Sequence, residues 1–91
     1  MNTTLCYVYI LECCDKTLYT GCTNNIEKRI HEHNNTGAGA RYTRGRRPVK
    51  LIYIEGYPTL SDAMKREVQI KKLSKAQKLL LVQNSPGSTN I

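Results

Sequence analysis

Tyr7, Tyr9, Tyr19 and Arg29 are the residues of this chain whose types and spacing suit work on phosphate groups. A phenol can give up or relay a proton. A guanidinium matches phosphate with two parallel hydrogen bonds. The charge distribution points the same way. Fourteen Lys and Arg face seven Asp and Glu, a formal net charge of +7. No acidic residue follows Glu67, whereas Lys71, Lys72, Lys75 and Lys78 do. Between Glu32 and Glu55 lie Arg41, Arg44, Arg46, Arg47 and Lys50, again without an acid. Basic charge segregated in this way favours a polyanion through phosphate contact and counterion release, though it also serves as a plain solvated surface.

These side chains need elements to hold them. Cys6 to Cys13 is rich in β-branched and aromatic residues and reads as a strand. Alternation puts Tyr7 and Tyr9 on one face and Val8 and Ile10 on the other. Leu18 to Cys22 is a second strand, close enough to form an antiparallel hairpin. Asn24 is placed to cap a helix, with Glu27 three residues on. That helix carries Ile26 and Ile30 on its inner face and Arg29 and His33 on another. Tyr9, Tyr19 and Arg29 then converge if the hairpin pairs in register and the helix packs beside it.

Residues 35–48 hold three glycines and four arginines and read as a loop. Val49 to Ile54, apolar on both faces, reads as a third and central strand. Thr59 or Ser61 caps a helix running to about Leu73, with Leu60, Met64, Val68 and Ile70 as its buried face. Ser74 and Gln77 form a capping box for a last helix through Leu79, Leu80 and Val82. The order is ββαβαα: an α+β domain with a three-stranded antiparallel sheet flanked by helices over residues 1–84. A polar tail, expected to be disordered, follows over 85–91.

With no Phe and no Trp, the core must come from Leu, Ile, Val and Tyr. No stretch reaches the roughly 20 apolar residues of a membrane span. The start of the chain lacks a secretory pattern, so a cytoplasmic monomer with reduced thiols is expected. Cys6, Cys13, Cys14 and Cys22 show none of the usual zinc spacings, and Cys6 reads as a small packing residue.

Tyr7-Val8-Tyr9, then Tyr19-Thr20-Gly21, then Arg29 and a helical Glu67, taken in that order, resemble the GIY-YIG nuclease domain. The likeness runs from residue 6 to about 82 and is strongest to short single-domain bacterial members. It implies the fold above and a Mg²⁺- or Mn²⁺-dependent endonuclease acting on DNA, with RNA left open. It implies that Tyr19 activates water or relays its proton, and that Tyr9 orients Tyr19 or the nucleophile. Arg29 would neutralise phosphate charge, His33 would place a polar ring at the site, and Glu67 would hold one divalent ion. Such a set meets the needs of phosphodiester hydrolysis, because Mg²⁺ tolerates one protein carboxylate when phosphate and water complete its shell. A tyrosine ordinarily titrates near pH ~10, so Tyr19 must be acidified or must pass its proton on. Two positions depart from the pattern. Tyr7 replaces the family's glycine. Cys22 follows Gly21 where the nuclease subunit of bacterial nucleotide-excision repair, which carries this domain, has lysine, a lost cation for which the loop arginines are the candidate replacements.

Each residue also has a structural use. The tyrosines suit any strand, and Arg29 can pair with Glu32 or Glu27. His33 can end a helix as a favourable cation, and Glu67 can bridge to Lys71 one turn on. Three classes of function follow: a hydrolytic endonuclease, a nucleic-acid-binding module with little catalysis, and an adaptor of a DNA-repair complex. Arg41, Arg44, Arg46, Arg47, Lys71 and Lys72 are the candidate phosphate contacts. Duplex DNA affinity is expected to fall as salt rises, by roughly one unit of log–log slope per phosphate contact. Affinity that stays flat from low to physiological salt would remove the phosphate-contact reading.

Overall fold

Val8, Tyr9, Ile10 and Leu11 are each at most 1% exposed, and this strand organises the molecule. A computed structural model describes residues 5–35 and 41–84. Strand β1 (Cys6–Glu12) lies between β2 (Leu18–Thr23) and β3 (Lys50–Tyr57), antiparallel to both, in the order β2-β1-β3. A central strand covered on both faces reads as an unbroken apolar run. The sequence assigned that role to Val49–Ile54. The structure gives it to β1, and β3 is an edge strand with a mixed, half-buried pattern. An apolar run shows that a strand is covered, not which neighbours hydrogen-bond to it.

Alternation along β1 makes two cores. Cys6, Val8 and Ile10 pack with Tyr53, Ala63 and Ile70, with Leu81 and Val82 against them. Tyr9, Leu11 and Cys13 pack with Val49, with Tyr19, Ile26 and Ile30 against them. Helices α3 (Leu60–Lys71) and α4 (Lys75–Asn84) therefore cover one face, and α1 (Ile26–Asn35) covers the other. None of the described helices is long and apolar enough to cross a membrane.

The caps are local and mostly as expected. Thr59 accepts from Asp62 N–H, and Ser74 and Gln77 form a reciprocal box at 2.9 and 3.2 Å. For α1 the cap is Asn25, not Asn24. Its Oδ1 accepts from Lys28 N–H at 3.1 Å, while Thr23 Oγ1 accepts from Asn25 N–H. The 35–48 segment is not wholly loop: α2 (Arg41–Arg44) is one helical turn. It carries fully buried Thr43, and a turn of helix satisfies backbone groups that water cannot reach. Residues 36–40 and the tail expected over 85–91 lie outside the described residues.

The largest correction concerns α3. Leu60, Met64 and Val68 are 53, 49 and 53% exposed, and the buried positions are Ala63 and Ile70. Each set forms its own helical stripe, and the sheet covers that of Ala63 and Ile70, Ile70 being the one expected position that is buried. Small Ala63 lets the helix approach the sheet closely. The same rotation brings Arg66 onto Glu55 of β3, with Nε–Oε1 at 3.0 Å and Nη2–Oε2 at 3.2 Å. Tyr53 and Tyr57 also donate to that carboxylate.

Burial works against the charge on Glu55, but Arg66 and the two phenols outweigh it and hold the carboxyl below its ordinary range. A depressed carboxyl contributes stability above its unfolded pKa of 4.5 and loses it as pH falls through the folded value. Glu55→Gln is expected to lower stability at pH 7 by about 1–3 kcal/mol and to reduce the acid sensitivity below pH ~4.5. Urea unfolding at pH 7 and in acid measures both. An unchanged acid slope in the variant would show that Glu55 is not the group responsible.

Candidate active site

The pairing of β1 with β2 sets Tyr9 opposite Gly21 and Leu11 opposite Tyr19. Tyr9, Tyr19 and Gly21 therefore share one face. The Tyr9 ring lies directly across Gly21. A Cβ at Gly21 would come within 2.6 Å of Tyr9 Oη and 2.8 Å of Tyr9 Cζ, so no side chain fits there without moving the phenol. The register condition set by the sequence is met, and α1 packs beside the hairpin on this face.

Helix α1 brings Arg29 and His33 to the same place. Arg29 lies beside the Tyr9 hydroxyl and pairs with Glu32 at 3.1 Å. His33 is fully buried, with Nε2 at 3.0 Å from Tyr9 Oη and Nδ1 at 2.8 Å from Thr43 Oγ1. A neutral imidazole donates through one nitrogen and accepts through the other, and the two hydroxyls can serve either tautomer. Burial, with Arg29 nearby, pushes the His33 pKa down to about 4, so the ring is neutral at pH 7. His33 therefore does not act as a cation at the helix end. Burial pushes Tyr9 up to about 12, which keeps its hydroxyl protonated and makes it an orienting group, not a base.

Tyr19 is half-buried at the edge of this cluster. Its ring centroid is 5.2 Å from His33, 6.4 Å from Tyr9 and 5.9 Å from Tyr42 of α2. Arg46 lies 4.1 Å over the Tyr42 ring and pairs with Asp15 at 3.1 Å. Arg47 donates to His33 O at 2.5 Å and thereby caps α1. Both guanidinium groups are thus engaged within the fold, while Arg44 and Lys72 are exposed. Thr43 and Tyr42 were not singled out by sequence reasoning. They sit on a single helical turn, too short for any periodic signal.

Glu67 lies on α3, against the opposite face of β2. It pairs with Lys71 at 2.9 Å and lies near the Cys22 thiol. Burial and this carboxylate push Cys22 up to about 11, so the sulfur stays protonated and is not a thiolate ligand. Since β2 is an edge strand, its two faces open at one rim, where Lys71 comes within electrostatic reach of Tyr19. Among the described residues no three acidic, His or Cys side chains gather around one point. One carboxylate with a protonated thiol does not fit a resident zinc. It does fit Mg²⁺ or Mn²⁺ that shares its shell with water and substrate oxygens.

Residues 5–79 match the family model described as the GIY-YIG catalytic domain. A UPF0213 protein of Syntrophus aciditrophicus is 61% identical over 80 residues, covering 88% of this chain and 92% of that protein. One from Natronomonas pharaonis is 53% identical over 81 residues, covering 89% and 94%. The solution NMR structure of a UPF0213 protein from Bacillus halodurans superposes with a TM-score of 0.58 at 41% identity, covering 93% of this chain and 92% of that one. An NMR structure from E. faecalis gives 0.61 at 42%, covering 90% and 85%.

A buried neutral imidazole leaves a signature in acid. Its depressed pKa makes the unfolded chain take up a proton first, so stability is intact above pH ~6.5 and falls as pH drops toward about 4. An NMR titration of the His33 ring is expected to show no midpoint between pH 8 and 5. A midpoint near 6.5 would mean that the Tyr9–His33–Thr43 chain is not formed.

Proposed function

The chain belongs to the GIY-YIG catalytic-domain family, and from that premise we propose that it is a hydrolytic endonuclease that cleaves DNA phosphodiester bonds with Mg²⁺ or Mn²⁺. The observation that carries this reading is the convergence of Tyr9, Tyr19, Arg29 and His33 from two strands and a helix on one face beside an open edge strand. A fold that needed only packing would not bury a Tyr–His–Thr hydrogen-bond chain there.

In this mechanism Tyr19 is the group that reaches the nucleophilic water. As a phenolate it takes the water's proton, or as a phenol it relays that proton onward, while the water oxygen bonds to phosphorus and the bond from phosphorus to the leaving sugar oxygen breaks. Tyr9 stays protonated and fixed between Arg29 and His33, so it holds the position of Arg29 and the wall on which Tyr19 rests. The Arg29 guanidinium carries fixed positive charge for the phosphate oxygens, with Glu32 holding its orientation. Thr43 holds the His33 ring through Nδ1, and burial with Arg29 nearby keeps that ring from gaining charge. Glu67 would hold the divalent ion, which when bound supplies Lewis acidity and charge neutralisation. Arg44 and Lys72 offer charge to the flanking backbone, and Arg41 is proposed with them on its sequence position.

Tyr19→Phe and Glu67→Gln test this directly. Each is expected to lower cleavage by about a hundredfold or more, while affinity for the same DNA holds within a few-fold. A panel of single-stranded, duplex, flap and branched DNA, with Mg²⁺ and with Mn²⁺, supplies the substrates. Wild-type cleavage by Glu67→Gln would remove the metal assignment. Equal loss of binding and turnover in Tyr19→Phe would make that residue a packing or recognition group.

A further inference from the structure

Cys22 gives the site no cation, and two of the segment's arginines are engaged within the fold. Arg46 is held by Asp15 and the Tyr42 ring, and Arg47 by the end of α1. The cation that reaches the Cys22 side of the rim comes from α3. Lys71 stands one turn beyond Glu67, with Nζ 2.9 Å from Glu67 Oε2. The carboxylate is 18% exposed and the lysine 51%, so the acid sits inside the rim and the ammonium closes it from outside. Cys22 lies near that carboxylate, and Lys71 lies within electrostatic reach of Cys22 and Tyr19 as well as paired with Glu67. Lys71 therefore borders both halves of the site.

The pair is one that exchanges easily. An i,i+4 pair at a helix surface is weak, and a divalent ion or a phosphate offers either partner a stronger interaction. A lysine has a flexible four-carbon stem, so its ammonium can swing without moving the helix. A divalent ion arriving at Glu67 meets that ammonium as a like charge and competes with it for the same oxygen.

We propose that Lys71 is a second cation of the site. It neutralises Glu67 in the free protein and turns to a phosphate oxygen of the nucleic-acid backbone once the carboxylate holds a divalent ion. This rests on Glu67 being the metal carboxylate. It assigns to Lys71 more than general attraction of DNA: the lysine orders the site, because the ion and the phosphate are admitted together.

Lys71→Met separates this role from simple charge loss when compared with Lys75→Met, the same charge change at the exposed start of α4. Mn²⁺ binding to the free proteins, followed by water-proton relaxation, is expected to be about threefold or more tighter in Lys71→Met than in Lys75→Met. At saturating Mn²⁺ and duplex DNA, Lys71→Met is expected to lower kcat about tenfold or more, and Lys71→Arg to recover most of it. Mn²⁺ affinity equal to that of Lys75→Met, or a kcat within about threefold of wild type, overturns the proposal. The arm with Glu67→Gln tells the two readings apart. Wild-type cleavage there removes the metal carboxylate and this proposal with it. An inactive Glu67→Gln beside a fully active Lys71→Met removes Lys71 alone.

Discussion

The hydroxyl of Tyr9 lies in the buried layer between sheet and helix, and a buried phenol must find hydrogen-bond partners. Much of the surrounding structure follows from that requirement. It lies beside Arg29 of α1. It hydrogen-bonds His33 Nε2, and the histidine in turn hydrogen-bonds Thr43, carried on a helical turn in a segment rich in glycine and arginine. The ring itself needs the space left by Gly21 on the neighbouring strand. One side chain thus couples two strands and two helices, and the groups that couple them are those that can act on phosphate.

The same economy governs the positive charge. A formal net charge of +7 suggests a surface free to bind a polyanion, yet several of those cations have duties inside the fold. Arg66 joins α3 to β3 through Glu55, Arg47 caps α1, and Arg46 ties the hairpin loop to α2 through Asp15 and Tyr42. In a chain of 91 residues without Phe or Trp the apolar core is small, and charged side chains with good geometry take over part of its work. Arg46 and Arg47 hold the arginine segment beside the tyrosines.

Two faces of one edge strand contribute to the site. Tyr19 and Gly21 look toward α1, and Cys22 looks toward α3. An interior strand would separate such groups by a full layer of sheet. At an edge they meet at a rim, where a backbone passing along β2 would touch both. The exposed apolar stripe of Leu60, Met64 and Val68 is a consequence of the same arrangement: α3 turns Ala63, Arg66, Glu67 and Ile70 inward, and its larger apolar residues are left outside.

The sequence alone determined what is local or ordered along the chain. The hairpin, the alternation that puts Tyr9 opposite in facing to Val8 and Ile10, the Thr59 cap and the Ser74–Gln77 box all depend on neighbours within a few residues, and they came out as read. The order of Tyr9, Tyr19, Arg29 and Glu67 also sufficed to point to the family. Tertiary structure decided what depends on partners distant in sequence. Periodicity groups the residues of α3 into stripes but does not say which stripe the sheet covers; Arg66 meeting Glu55 and Glu67 meeting Cys22 settle that. An apolar strand can be central or at an edge, and hydrogen-bond pairing made β1 central. His33 could be a helix-end cation by sequence, and only its burial against Tyr9 and Thr43 makes it neutral. Desolvation and long-range hydrogen bonds are properties of assembled neighbours, so no reading of the chain one segment at a time contains them.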